Sequence, residues 1–146
     1  MFLSKIKIKN YRLLINTELH LDKDLTLIVG RNNTAKTSVI NFIINTLSGV
    51  SFSYDNYPLL RRKSAFELLT KFINKEITYE MFCEKFPKPS IEFYIDYSEN
   101  PEDELLGTLS PFIIDILEEN NTALIKAEYC IKADENTLRE YFNECI

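Results

Sequence analysis

The chain has 146 residues, 45% of them apolar, with 17 Lys and Arg against 22 Asp and Glu for a net charge of −5. That is one domain's worth of sequence with enough apolar content for a core, without an apolar run long enough to span a membrane and without an overall basic footprint for gripping nucleic acid. The opening Met-Phe-Leu-Ser-Lys-Ile-Lys-Ile-Lys alternates instead of placing a charged stretch before an apolar one, so no signal peptide and a cytoplasmic location are expected, with no membrane partner. Cys83, Cys130 and Cys145 are odd in number, scattered and set in apolar surroundings, which reads as reduced, buried thiols. His20 lacks companions at metal-ligand spacing and is expected on a strand surface.

Residues 2–9 place Phe2, Ile6 and Ile8 on one face and Lys5, Lys7 and Lys9 on the other, the period of a half-buried strand with a solvated lysine face. Asn10-Tyr11-Arg12 reads as a turn, and Leu13, Ile15, Thr17, Leu19 and Leu21 as one face of a second strand. After the polar turn Leu21-Asp22-Lys23-Asp24, the run Leu25-Thr26-Leu27-Ile28-Val29 predicts a third strand leading directly into Gly30. Val39, Ile40, Phe42, Ile43, Ile44 and Leu47 then give an apolar helix for packing against a sheet, with Gly49 as its terminator.

Between that strand and helix, Gly30 to Thr37 follows the phosphate-binding pattern G-x-x-x-x-G-K-[ST], except that Ala35 stands at the sixth position. The spacing has a chemical reason. Backbone N–H groups and the positive end of the following helix surround a phosphate, the lysine reaches its outer oxygens, and the hydroxyl of the next residue ligates Mg²⁺. Those residues here are Lys36 and Thr37. The pattern's glycine permits a left-handed backbone and close approach to phosphate; a Cβ at Ala35 costs about 1 kcal/mol of strain if φ is positive there. ATP and Mg²⁺ are thus the cofactors the loop specifies, and whether Ala35 still admits them stays open in the sequence.

The order strand, Lys9-Asn10-Tyr11-Arg12, strand, Leu27-Ile28-Val29-Gly30-Arg31-Asn32-Asn33-Thr34-x-Lys36-Thr37-Ser38 resembles the N-terminal lobe of the ATP-binding-cassette ATPases related to SMC, Rad50 and RecF. Within that group it is most similar to the OLD-type, AAA-like ATPases that accompany nucleases in DNA repair and antiphage defence. The resemblance covers the first 50 residues or so well and the rest in outline. It implies that Asn32, Asn33, Thr34, Ala35, Lys36, Thr37 and Ser38 surround the phosphates, that Thr37 binds Mg²⁺, and that Arg12 lies beside the nucleotide. Asn33 sits where close relatives have glycine, a mild departure because Asn tolerates the left-handed region.

Further on, Tyr54-Asp55-Asn56-Tyr57-Pro58 reads as a loop, followed by a basic trio, Arg61-Arg62-Lys63, expected to be solvated. Ser64-Ala65-Phe66-Glu67 is a capping-box signal, with Phe66, Leu69, Phe72 and Ile73 behind it; a second short helix from Thr78 carries Tyr79, Phe82, Cys83 and Phe86, and Pro87 and Pro89 end it. These form a helical insertion over about residues 59–87. Ile91, Phe93, Ile95 and Tyr97 alternate as a strand with one wet face, and residues 123–132 as a long strand able to pair antiparallel with it. Between them, residues 98–104 read as an acidic loop, 105–119 as helix or irregular chain broken by Pro111, and Asn120-Asn121 as a turn. Asp134 is the predicted N-cap of a last helix with Leu138, Tyr141, Phe142 and Cys145 on one face.

The acidic residues Glu99, Glu102, Asp103, Glu104, Asp115, Glu118 and Glu119 sit in turn-rich sequence and read as a solvated rim. The resembled ATPases use an apolar strand ending in Asp-Glu plus a signature motif from a second subunit for hydrolysis; Ile113-Ile114-Asp115 is the nearest imitation here. The expected fold is α/β, a single and incomplete P-loop ATPase lobe over residues 1–146 with antiparallel strands and a helical insertion. Two functions remain open: a nucleotide-binding N-terminal segment of an SMC/OLD-like ATPase that does not hydrolyse ATP alone, or a non-catalytic regulator or antagonist pairing with a full-length ATPase. The expected partners are the remaining ATPase half or a homologous subunit, with DNA reached only through the assembled complex.

Overall fold

The computed structural model describes residues 1–31, 35–98 and 122–144. Its elements are β1 (Phe2–Tyr11), β2 (Leu14–His20), α1 (Lys36–Leu47), a 3-10 turn (Tyr54–Asn56), α2 (Leu59–Ile73), α3 (Tyr79–Lys85), β3 (Ser90–Asp96), β4 (Thr122–Glu128) and α4 (Glu135–Glu144). The strands form one antiparallel sheet in the order β2-β1-β3-β4. The two expected antiparallel pairs are therefore joined, because β1 also pairs with β3, Ile8 opposite Ile91 and Ile6 opposite Phe93. The mixed α/β class stands.

The alternation in β1 works as its period requires. Ile6 and Ile8 are buried, and with Leu14, Ile91 and Phe93 they face Val39 and Phe42 of α1. Phe42 is fully buried and stacks on the Tyr11 ring at 4.2 Å and 17°. Burying such a side chain stabilises by about 1.5–3 kcal/mol, and a stacked aromatic pair adds about 0.5–1.5 kcal/mol. Gly49 ends α1 as expected: its φ is +66, its N–H donates to the Thr46 carbonyl at 3.2 Å, and the Val50 N–H donates to the Asn45 carbonyl at 2.9 Å, the paired bonds of a Schellman ending.

On the opposite face each lysine of β1 meets a partner. Lys7 pairs with Glu18 at 2.5 Å, Lys9 with Glu92 at 3.3 Å, and Lys5 lies 3.9 Å over the Tyr94 ring. The hydrogen bond from Lys7 holds the Glu18 carboxyl below its usual range. Burial pushes the Glu92 carboxyl up, but hydrogen bonds from Tyr94 and Lys9 together outweigh it and the net direction is down. This face is an ion-paired lattice instead of a bare cationic comb.

Several sequence expectations are corrected. Residues 25–29 form no strand: Leu25, Leu27 and Val29 are 71%, 77% and 84% exposed. A strand exists through its neighbours' hydrogen bonds, and no strand pairs with this segment among the described residues. Tyr11 belongs to β1 and the core instead of a turn. The hairpin bends at Arg12 and Leu13, with Asn10 and Arg12 in left-handed conformations (φ 57 and 49), which turns the Tyr11 ring inward and leaves Leu13 outside.

α2 starts five residues before the predicted capping box. Pro58 is its N-cap, and the Ser64 hydroxyl donates to the Arg61 carbonyl inside the helix; proline's fixed φ suits that helix start. Phe66 is thereby exposed, while Phe72 is fully buried against Phe82 of α3, ring centroids 5.1 Å apart. The later caps agree with expectation: the Thr78 hydroxyl accepts from Met81 N–H at 3.3 Å, and Asp134 Oδ1 accepts from Thr137 N–H at 2.8 Å. Tyr141 is exposed. β3 lies inside the sheet, so Ser90 to Phe93 are buried on both faces and its wet face is short. β4 ends at Glu128, so Cys130 falls beyond the strand and is exposed; Cys83 is half-buried. His20 is exposed at the end of β2, as expected. No metal-binding cluster occurs among the described residues, and among them no helix is long and apolar enough to cross a membrane. The acidic stretch 99–119, the Asn120-Asn121 turn and Cys145 lie outside the described residues.

Candidate nucleotide site at the start of α1

α1 begins with Lys36, and its N-cap is Ala35 at φ 67, ψ 6, a left-handed conformation. That is the backbone for which the phosphate-loop pattern reserves glycine, since an L side chain there crowds the following carbonyl. The intrahelical ladder opens with the Val39 N–H donating to the Ala35 carbonyl at 3.1 Å. The amides of Lys36, Thr37 and Ser38 thus precede the ladder and point from the positive end of the helix. The first turn holds no acidic residue to compete for that end.

Ser38 is buried and Thr37 exposed. The Lys36 ammonium turns back onto the loop, donating to the Gly30 carbonyl and, at 3.2 Å, to the Arg31 carbonyl. The structure thereby brings Gly30, Arg31 and Lys36 together around the loop's mouth. Asn32, Asn33 and Thr34 lie outside the described residues. The helix side of this arrangement offers groups suited to a Mg²⁺-bound triphosphate: first-turn amides, the Lys36 ammonium and the exposed Thr37 hydroxyl. The Ala35 side chain is half-buried and packs against the hydrophobic core.

Arg12, at the β1–β2 hairpin, has its contacts elsewhere. Its main-chain N–H donates to the Asn56 carbonyl at 2.7 Å, its Nε to Asn56 Oδ1 at 2.8 Å, and its guanidinium lies 5.3 Å from the Tyr11 ring centroid. Tyr11 connects this hairpin to α1 through Phe42. The Asn56 contact escaped the sequence reading, which saw only a loop; nothing local marks a bond between residues 44 positions apart. The basic trio also resolves differently from a solvated run: Arg62 Nη2 donates to the Tyr54 and Asp55 carbonyls at 3.3 and 3.4 Å, and its Nε to the Tyr57 carbonyl at 3.3 Å, while Lys63 stays exposed beside Glu67. Burial pushes the Tyr57 phenol up to about 12, and its hydroxyl donates to the Pro87 carbonyl at 2.6 Å. A separate apolar cavity of about 910 Å³ is lined among others by Phe52, Tyr57, Phe66, Phe82, Tyr129 and Phe142, and none of the described residues between 30 and 38 is in its wall.

Comparison with known families decides the class, since the AAA ATPase domain family matches residues 1–145, nearly the whole chain. The chain belongs to the AAA ATPase domain family. This AAA ATPase domain chain is also similar to the DNA double-strand break repair Rad50 ATPase of Methanococcus maripaludis, at 26% identity over 133 residues. The match covers 88% of the chain and 13% of the Rad50 protein, so the chain spans about an eighth of that relative's length. No solved structure matches. The two matches support the resemblance to SMC/Rad50-like ATPases, and the family implies a nucleotide for the AAA ATPase domain chain, typically with Mg²⁺.

Proposed function

We propose that this chain is the nucleotide-binding N-terminal segment of an OLD-type, SMC-like ATPase engaged in DNA processing or antiphage defence. In this reading the amides and side chains of Gly30, Asn32, Asn33, Thr34, Ala35, Lys36, Thr37 and Ser38 hold the phosphates of ATP, Thr37 ligates Mg²⁺, and Arg12 adds a guanidinium. Bound Mg²⁺-ATP supplies a phosphoanhydride whose charge the metal partly neutralises. Lys36 leaves the carbonyls of Gly30 and Arg31 to reach the phosphates, and the α1 amides receive an oxygen without competition from a carboxylate. Hydrolysis needs a carboxylate to orient water, which this reading assigns to the remaining ATPase half or a homologous subunit; DNA is met through that assembly.

The observation that supports this most directly is the left-handed backbone at Ala35 directly before Lys36. The partner is supported by two exposed apolar stretches. One is Leu25, Leu27 and Val29. The other is Ile40, Ile44 and Leu47, 54%, 55% and 72% exposed on the side of α1 turned from the sheet. A second reading, a non-catalytic regulator or antagonist of a full-length ATPase, draws on the same residue: Ala35 stands at the position for which the phosphate pattern reserves glycine.

Calorimetric titration of Mg²⁺-ATP into the chain, its Ala35→Gly version and a Lys36→Ala control separates the two. Binding by the unaltered chain that Lys36→Ala removes supports the nucleotide-binding segment. Binding only after Ala35→Gly supports the regulator. Binding by neither overturns the nucleotide site.

A further inference from the structure

The exit of α1, the 3-10 turn, α2, the end of α3, the chain after β4 and α4 meet around the cavity of about 910 Å³ instead of closing on one another. Close-packed interiors hold few voids larger than a water molecule, so a space of this size has to be kept open. Side chains bonded to main-chain carbonyls do that here. The Tyr57 hydroxyl ties the start of α2 to Pro87 at 2.6 Å, the Tyr129 hydroxyl ties the chain after β4 to Val50 at 3.1 Å, and the Tyr79 hydroxyl ties α3 to Ala133 at 2.7 Å. Arg139 of α4 donates to the Phe72 and Ile73 carbonyls at 3.3 and 3.4 Å, its guanidinium 4.3 Å over the Phe72 ring. Each bond joins two of the framing elements, so the walls are fixed to one another without filling the space between them.

The wall selects a kind of ligand. Phe52, Phe66, Leu69, Phe82, Ile131 and Phe142 make it chiefly apolar, and the phenols of Tyr57 and Tyr129 have already given their protons to carbonyls. A polar body entering this space would lose water without gaining bonds in return, whereas hydrocarbon has none to lose. The charged residues of the wall are Arg62, Glu128 and Lys132. Glu128 is neutralised by Lys126 at 2.7 Å and Lys88 at 3.6 Å. Arg62 donates to neutral carbonyls, those of Tyr54, Asp55 and Tyr57, and among the described residues neither Arg62 nor Lys132 has a carboxylate partner. An apolar interior is thus combined with two cations whose charge is uncompensated.

We propose that this cavity is a binding site for a linear aliphatic carboxylate, its hydrocarbon tail filling the aromatic interior and its carboxylate answering the charge of Arg62 and Lys132. Small-molecule sites are typically cavities of about 300–1,000 Å³, mostly apolar with a few placed polar groups. This one is framed before a ligand arrives, which lowers the ordering cost of binding. None of the described residues between 30 and 38 is in the wall, so the site stands apart from the nucleotide reading and does not fall with it.

Decanoate, kept below its critical micelle concentration, is titrated calorimetrically into the whole 146-residue chain, beside octanoate, hexanoate, decanol and decylammonium. Burial of the tail predicts a Kd about 3–4-fold lower for each added methylene. The anionic head predicts that decanol binds about 10-fold more weakly than decanoate, and decylammonium more weakly still. A series with no dependence on tail length, decylammonium binding as well as decanoate, or no binding of decanoate would each overturn the proposal.

Carbon-13 spectra of the alanine methyls report where the ligand sits. Ala65 and Ala127 lie in the wall and should shift as decanoate is added, whereas Ala35, at the start of α1, should not. A ligand that moves Ala35 and leaves Ala65 and Ala127 in place is bound elsewhere and overturns the site. Leu69→Trp puts an indole where the tail belongs and should weaken decanoate binding about 10-fold or more. Lys132→Ala, at an exposed position, should weaken decanoate about 2–5-fold and leave decanol unchanged. Should Leu69→Trp fail to fold, the tail-length series and the alanine signals of the unaltered chain decide the matter by themselves.

Discussion

Replacing Ala35 with glycine is expected to stabilise the chain even without a ligand. Ala35 holds φ 67 and ψ 6. An L residue in that region pays roughly 1–2 kcal/mol relative to the right-handed form, and glycine does not. Glycine also frees the unfolded chain, which returns about 0.4–1 kcal/mol, so the net gain is about 0.5–1 kcal/mol. At about 2–4 °C per kcal/mol for a domain of this size, Tm should rise by roughly 1–4 °C. Differential scanning calorimetry of the unaltered chain, Ala35→Gly and Ala35→Val reads this directly. Valine, branched at Cβ, fits the left-handed region worse than alanine, so the order should be glycine above alanine above valine. A glycine variant that melts at or below the unaltered chain, or a valine variant that matches it, would refute the strain argument and with it the reason for expecting glycine at this position.

Phe42→Ala removes the ring that joins α1 to Tyr11 and the sheet, and should cost about 3–5 kcal/mol in urea unfolding, enough to unfold a marginal domain. Tyr11→Phe should be neutral or slightly stabilising, within about 1 kcal/mol, because the buried Tyr11 hydroxyl finds no hydrogen-bond partner among the described residues; a large loss would mean that the hydroxyl is satisfied. For Tyr57 the phenol's pKa is raised in the folded state from 10.0 to about 12, so the folded chain binds the proton more tightly and stability should fall as pH rises from 10 towards 12. Tyr57→Phe should remove that alkaline slope while lowering stability at neutral pH by about 0.5–1.5 kcal/mol through the lost bond to Pro87. At the acid end, the Glu18 pKa is lowered in the folded state, so its contribution is lost as pH falls through that lowered value; Glu18→Gln should make the acid limb of a pH–stability curve shallower.

What could be read from the chain was what depends on near neighbours. The two-residue alternation of β1 and β4, the glycine that ends α1, and the capping side chains of Thr78 and Asp134 all act within a few positions, and each appears where its chemistry put it. Residues 25–29 have the composition of a strand, but a strand needs a ladder with another segment, and composition does not supply one. Tyr11 moved from turn to core because the left-handed residues on either side of it, Asn10 and Arg12, shift the facing of the side chain between them. Cys130 was expected inside from its apolar surroundings, within a strand expected to reach residue 132, but the pairing stops at Glu128. Of the candidate site, the left-handed demand at Ala35 was legible because the motif itself encodes it. The contact between Asn56 and Arg12, and the use of Arg62 to fasten a turn, were not, since both link groups whose proximity only the fold creates.

The central place of β1 in the sheet has a bearing on how the chain comes to be assembled. β1 pairs on one side with its immediate successor β2, but on the other with β3, Lys9 opposite Ser90 and Phe2 opposite Asp96. At a synthesis rate of about 5–20 residues per second, roughly 4–16 s separates the emergence of Tyr11 from that of Ser90. During that interval the first hairpin exists with an open edge, while α1, α2 and α3 are made and have only each other and half a sheet to cover. Closure of the sheet is then a late, long-range step, carrying the loop-entropy cost of some eighty intervening residues. Substitutions that tighten the hairpin should therefore speed folding, whereas those along the β1–β3 seam should chiefly change how fast the finished domain comes apart.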